Sequence, residues 1–125
     1  MDFVIPGEVP SKKNSRIFNT HTKKSFPNPR YTQWKEEVVV LVRMQAKGYK
    51  APVPCRVNVK FWHGDMRSRD GDNSLSSLFD MLKDAGIIKD DKWQFVPSAH
   101  FENELDRGHA RCEFSIEPME ESHGN

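Results

Sequence analysis

From Cys55 to His63 the chain alternates, with apolar Cys55, Val57, Val59 and Phe61 at odd positions and mostly polar residues between them, introduced by Pro54. That period of two predicts a half-buried β-strand, the clearest in the sequence. Elsewhere the period lengthens to that of a helix. After Pro29, the residues Trp34, Val38, Leu41, Val42 and Gln45 have helical spacing, with Glu36 and Glu37 early, Arg43 and Lys47 late as the helix dipole favours, and Gly48 as a stop. Leu75, Leu78, Phe79, Leu82 and Ala85 predict a second helix, ended by Gly86 as a left-handed cap. Phe3 to Val9 reads as a short first strand, near a sheet edge because Pro6 cannot donate to a ladder. Two more strands are expected over about Gln94 to Glu104 and His109 to Glu117, joined by a hairpin-like turn at Asp106-Arg107-Gly108. The order β-α-β-α-β-β argues for an α/β fold of the mixed α+β kind, with one mixed sheet and two helices on one face. One domain over residues 1–119 is expected, followed by a polar tail, 120–125, that frays.

With 125 residues and 36% hydrophobic content, the chain can build one core and not two. Charged residues reach 30% and the mean hydropathy is −0.76, on the polar side for a domain that must still bury an interior. Cys55 and Cys112 lie far apart and outside any Cys-x-x-Cys pair, which suggests reduced strand residues rather than a disulfide or zinc site. No stretch approaches the roughly 20 apolar residues of a membrane span, so no membrane partner is expected and the protein reads as soluble and cytoplasmic. No Gly-x-x-x-x-Gly-Lys loop and no Gly-x-Ser-x-Gly elbow is present, which argues against a nucleotide cofactor and against serine hydrolysis. His21, His63, His100, His109 and His123 lack metal-ligand spacing, and only His63, next to an acidic loop, merits a test. Trp34, Trp62 and Trp93 read as core or dimer contacts, with Trp93 at the rim of the second acidic pair described below.

Charge alters this picture through its distribution. The total is only +1, from 19 basic and 18 acidic residues, yet Val9 to Lys35 contains Lys12, Lys13, Arg16, Lys23, Lys24, Arg30 and Lys35 and no acidic residue. From Phe101 onward, Glu102, Glu104, Asp106, Glu113, Glu117, Glu120 and Glu121 dominate. A solvated loop is one account of the basic stretch. A grip on a phosphate backbone is the other.

Arg69-Asp70-Gly71-Asp72-Asn73 lies between the clearest strand and the second helix, where two carboxylates one residue apart can face one ion. An EF-hand is excluded, because Leu75 and Met81 stand where its glycine and glutamate would be. A second pair, Asp90-Asp91, follows the same helix. At about 100° per residue, Asp72, Ser76, Asp80 and Lys83 share one polar face of that helix. The purely structural account is a helix cap at Asp72 or Asn73, solvated Asp80 and Lys83, and a turn at Asp90-Asp91. Joined to the basic stretch, the same residues are the minimum equipment for phosphodiester hydrolysis. Oxygen ligands suit magnesium, which retains several waters, while lysine and arginine hold the backbone.

Val9-Pro10-Ser11-Lys12-Lys13-Asn14-Ser15-Arg16, Asp70-Gly71-Asp72-Asn73 with Asp80 in the helix that follows, and Ala85-Gly86-Ile87-Ile88-Lys89-Asp90-Asp91 resemble, in order and spacing, the RusA family of phage and bacterial Holliday-junction endonucleases. The resemblance covers nearly the whole chain. It implies a small mixed α/β homodimer with Asp70, Asp72 and Asp91 as catalytic, magnesium-site carboxylates, Asp90 as a further metal-site residue and Asp80 close by. Manganese would be a substitute metal. Backbone contacts are expected from Lys12, Lys13, Asn14, Arg16, Arg69 and Lys89. The implied function is a structure-selective endodeoxyribonuclease that resolves four-way junctions in branched DNA by paired nicks, serving recombination or repair in a bacterial or phage-infected cell. A two-fold dimer suits a junction of approximate two-fold symmetry. Members of the family carry a lysine four residues after the second aspartate, where this chain has Ser76. Serine cannot supply positive charge at a scissile phosphate. Lys83, Lys89 and Lys92 are the candidate substitutes, and a branched-DNA binder that does not cleave is the alternative function.

Overall fold

The computed structural model describes residues 1–11, 16–19, 21, 23–27 and 29–120, with the backbone alone for 16–19 and 24–27. The strand expected from the alternation is β4 (Cys55–His63), and its odd residues up to Phe61 are buried while Arg56 is exposed. It is the spine of a four-stranded sheet in the order β1 (Asp2–Pro6), β6 (Arg111–Pro118), β4, β5 (Ser98–Leu105). β6 runs antiparallel to both β1 and β4, and β5 runs parallel to β4, so the sheet is mixed as expected. β5 and β6 therefore do not form the expected hairpin, because β4 lies between them. Their connection passes over the C-terminal end of β4, where the Asp106 amide donates to the His63 carbonyl at 2.8 Å.

The two predicted helices are α1 (Pro29–Ala46) and α2 (Gly71–Asp84). Proline at the first position of α1 is favourable, since its missing N–H would have no partner there. With that start, Glu36 and Glu37 fall beyond the first turn and only Arg43 lies in the last, so the expected charge complement holds at one end. Leu41, expected on the core face, is exposed, and Tyr31 and Ala46 are buried instead. α2 ends as predicted. Gly86 has φ +74°, its N–H donates to the Lys83 carbonyl, and the Ile87 N–H reaches the Leu82 carbonyl, which satisfies two carbonyls of the last turn.

Phe3 and Ile5 of β1, Val57 and Phe61 of β4 and Phe114 and Ile116 of β6 share one core with Val38 and Val42 of α1 and Leu78, Met81 and Leu82 of α2. Cys55 and Cys112 are buried in it as free thiols. Burial pushes the Cys112 thiol up to about 12, which keeps it protonated and unreactive. The other sheet face is open and polar, with Asn58, Lys60, His100, Glu102, Glu113 and Ser115 around a shallow depression of about 410 Å³. Trp62 lies on that face between Lys60 and Arg111, its indole N–H donating to Glu113. Trp34 packs half-buried against the core, whereas Trp93 is 74% exposed and is no core residue.

At the sheet edge, where Pro6 had pointed, the outward N–H and C=O of Val4 in β1 are both taken by the side-chain amide of Gln45 on α1, at 3.0 and 2.7 Å. The basic stretch is not all loop. It contains β2 (Arg16–Asn19) and β3 (Lys24–Pro27), paired antiparallel as a separate two-stranded sheet. Residues 121–125 of the expected tail lie outside the described residues. Among the described residues no helix is long and apolar enough to cross a membrane.

Candidate functional site

The chain leaves β4 at His63 and reaches α2 through an irregular loop that ends at Asp70. Asp70 is the N-cap of α2: its backbone is extended (φ −107°, ψ 108°), and its carboxylate accepts from the Asp72 N–H at 3.0 Å and the Asn73 side-chain amide at 3.2 Å. The cap expected at Asp72 or Asn73 therefore falls on Asp70. Asp72 sits exposed in the first turn, where its charge complements the helix dipole. A β-carbon at Gly71 between them would run into the Phe101 ring on β5, which would have to shift.

Six side chains hold the loop that delivers Asp70. Glu8 accepts through Oε1 from the Gly64 N–H at 3.1 Å and pairs with the Arg69 guanidinium at 3.0 Å, while its Oε2 lies 2.8 Å from His63 Nδ1. The other ring nitrogen of His63 lies 2.8 Å from the Asn103 amide oxygen. Arg69 also binds the Asp65 carboxylate at 2.7 Å and the Asp65 and Arg67 carbonyls at 3.0 Å. Hydrogen bonds from Arg67, and then from Arg69, hold the Asp65 carboxyl well below the usual carboxylate range. Arg69, expected on the DNA backbone, thus has its guanidinium engaged within the protein. Glu8 and Asp65 were not singled out in the sequence. The signal that could have found Glu8 is its place as the last acidic residue before the acid-free stretch.

A cleft of about 460 Å³ opens beside Asp70, between the Glu8–Ser11 strand exit, Arg30 and Trp34 of α1, and Arg67 to Asp70. The Ser74 hydroxyl ties its floor to the Val9 carbonyl at 3.3 Å. The chain enters the basic stretch from this cleft. Lys12, Lys13 and Asn14 lie outside the described residues, and Arg16 begins β2.

The second acidic pair lies elsewhere. Asp91 Oδ1 is 3.5 Å from Lys83 Nζ in the last turn of α2. Asp72 and Lys83 are separated by about 16 Å along the helix axis at about 1.5 Å per residue. The turn carrying Asp90 and Asp91 is anchored to the start of β4, where the Cys55 N–H donates to the Phe95 carbonyl at 3.0 Å. The Asp70 loop is anchored to its end, about 26 Å away at about 3.3 Å per residue. The two pairs occupy opposite ends of α2. Asp90 accepts from the Asp91 N–H at 2.7 Å and lies 3.9 Å from Lys92, and Lys89 is exposed beside it.

Of the remaining residues on the polar face of α2, Ser76 is exposed. Asp80 turns instead to α1, accepting from the Tyr31 hydroxyl at 2.7 Å and from Lys35 at 3.3 Å, with Asp84 2.9 Å from the same ammonium. Burial and the bond to Asp80 push the Tyr31 phenol far above its ordinary value. Asp80 is therefore an α1–α2 contact.

The donor chemistry at both ends of α2 is carboxylate oxygen, which suits a hard divalent cation. Among the described residues no group of three or more His, Cys, Asp or Glu side chains is placed to hold a metal ion.

Comparison with known proteins agrees with this chemistry. Residues 6–117 match the family model described as Endodeoxyribonuclease RusA. The chain is also 29% identical over 113 residues to a protein of Aquifex aeolicus (strain VF5) named Crossover junction endodeoxyribonuclease RusA, covering 90% of this chain and 88% of that protein.

Proposed function

The chain belongs to the RusA family of endodeoxyribonucleases, metal-dependent phosphodiester hydrolases, and from that membership we propose that it resolves four-way DNA junctions as a magnesium-dependent homodimer making paired nicks. The setting proposed is recombination or repair in the cytoplasm of a bacterial or phage-infected cell, with the gene carried by a phage or prophage. The observation that supports this reading best is the cleft at the start of α2, where Asp70, one residue before Gly71 and Asp72 of the first turn, adjoins Arg30, Arg67 and the entrance to the acid-free stretch.

Asp70 and Asp72 would supply oxygen ligands for the cation, and Asp91 and Asp90 the rest of the set. When bound, the cation supplies electrostatic stabilisation of the charge that develops on the scissile phosphate. Because one chain carries the two pairs at opposite ends of α2, we assign the missing ligands to a second copy, related by a two-fold axis that sets its Asp91 against Asp70 and Asp72 of the first. A closed two-fold pair then has two equivalent sites, matching the two equivalent strands of a junction. Lys12, Lys13, Asn14 and Arg16 hold the DNA backbone, with Lys89 beside the second pair.

Incubation of the purified protein with a labelled four-way junction and a matched linear duplex, with magnesium and with EDTA, tests the reading. Symmetric nicks in the junction alone, abolished by EDTA, are expected. Tight junction binding with no cleavage in magnesium or manganese would favour the non-cleaving binder, and equal cutting of both substrates would remove junction selectivity.

A further inference from the structure

We propose that Glu8 is a positioning residue for Asp70, acting through Arg69, and that Glu8 and Asp65 together keep the Arg69 guanidinium off the DNA. The inference rests on the nuclease reading above. Asp70 ends a loop with no regular structure, so its place depends on what ties that loop down. Glu8 does this at both ends at once, through the Gly64 N–H and the Arg69 guanidinium on a single oxygen. Its other oxygen meets His63 at the end of β4, so the loop is fixed to the rigid sheet. Glu8 is itself pinned, because Gly7 donates to the Ala110 carbonyl at 2.9 Å and Val9 accepts from Ser74 of α2. One side chain thus connects the sheet, the loop before Asp70 and the start of the basic stretch.

With Glu8 and Asp65 on it, Arg69 adds no phosphate contact and sets the angle at which Asp70 enters α2. Displacement of a reacting group by about 1 Å costs about a hundredfold in rate.

The test compares wild type, Glu8→Ala, Glu8→Gln, the double variant Glu8→Ala/Asp65→Ala and the triple variant that adds Arg69→Gln, for junction cleavage and for junction binding against salt. For Glu8→Ala, kcat is expected to fall about tenfold to a hundredfold with KM unchanged. In the double variant, which takes both carboxylates off Arg69, the slope of log affinity against log salt should steepen by about 0.9, the signature of one new phosphate contact. The triple variant should return the slope to the wild-type value, and Glu8→Gln, which keeps an acceptor for Gly64, should have a kcat between wild type and Glu8→Ala. An unchanged kcat in Glu8→Ala together with an unchanged slope in the double variant would overturn the proposal. So would equal losses of kcat and junction affinity accompanied by a lower Tm in both Glu8 variants, since that is only a folding defect. If wild type does not cleave, the nuclease reading fails, and the salt slopes alone decide: steeper for Glu8→Ala/Asp65→Ala and restored in the triple variant supports the contact, and an unchanged slope overturns it.

Discussion

The Lys83 ammonium lies 3.5 Å from the Asp91 carboxylate, at the end of α2 opposite Asp70. Both side chains are more than a third exposed, so the pair contributes at most about 1 kcal/mol and yields readily to a competing cation. Lys83 would then be free to supply the positive charge that Ser76 does not. Lys83→Ala should cut the junction-cleavage rate about a hundredfold, the usual cost of one well-placed electrostatic contact, and Ser76→Lys in that background should restore part of it. Single-turnover rates measure both. A Lys83→Ala protein cleaving at the wild-type rate moves the role to Lys89 or Lys92.

Asp70 caps α2 and, in the proposed reading, also binds the cation, and substitutions separate the two. Asparagine caps a helix about as well as aspartate, whereas alanine costs about 1 kcal/mol. Asp70→Asn should therefore abolish cleavage with Tm unchanged, and Asp70→Ala should abolish cleavage and lower Tm. Asp72→Asn should abolish cleavage while binding stays the same or tightens, because a negative charge facing phosphate is gone. Thermal melts beside gel-shift and cleavage assays distinguish the three.

Sites shared between two copies predict complementation. Asp72→Asn and Asp91→Asn should each be inactive alone, but a mixture allowed to exchange subunits should regain nicking, because a mixed pair contains one site with both aspartates intact. Such pairs would nick one strand rather than two. Denaturing gels of a junction labelled on each strand in turn would show this, and a mixture as inactive as its components would confine each site to one chain.

Replacing Lys12 and Lys13 together by alanine should weaken binding to all DNA sequences alike and flatten the slope of log affinity against log salt by nearly two, since phosphate contacts carry the salt dependence and no sequence information. An unaltered slope would return that stretch to solvated surface.

Gly71→Ala places a methyl group against Phe101, and overpacking of this kind costs about 1–3 kcal/mol. Urea unfolding should register that loss, and Phe101→Leu in the same chain should recover part of it by removing the ring.

The parts legible in the sequence are those specified by residues close together. Alternation alone placed β4 to the residue, since a period of two allows a single buried face. Gly86 marked the end of α2 because few other residues adopt its backbone angles. The β5–β6 hairpin failed because Asp106-Arg107-Gly108 describes only a turn and holds no information about which strand lies between its arms. β2 and β3 were hidden because each has four residues, and charges interrupt any apolar period. In the site, Asp70 and Asp72 were found together because they are neighbours in sequence. The separation of Asp91 followed from a helix of 14 residues that carries the chain to the far end of the sheet. Glu8 went unnoticed because its partners, His63, Gly64 and Arg69, are distant in sequence and meet it only when β1 and β4 have taken their places around β6.

The Gln45 amide over Val4 bears on how copies of this protein can assemble. An exposed strand edge is a template for another chain, and a filament needs two such edges on every copy. On one side of this sheet the outward groups of Val4 are taken by a side chain that imitates a neighbouring backbone, while β5 forms the opposite border. Joining through β5 alone stops at two molecules, so Gln45 works against propagation of the sheet into a fibre.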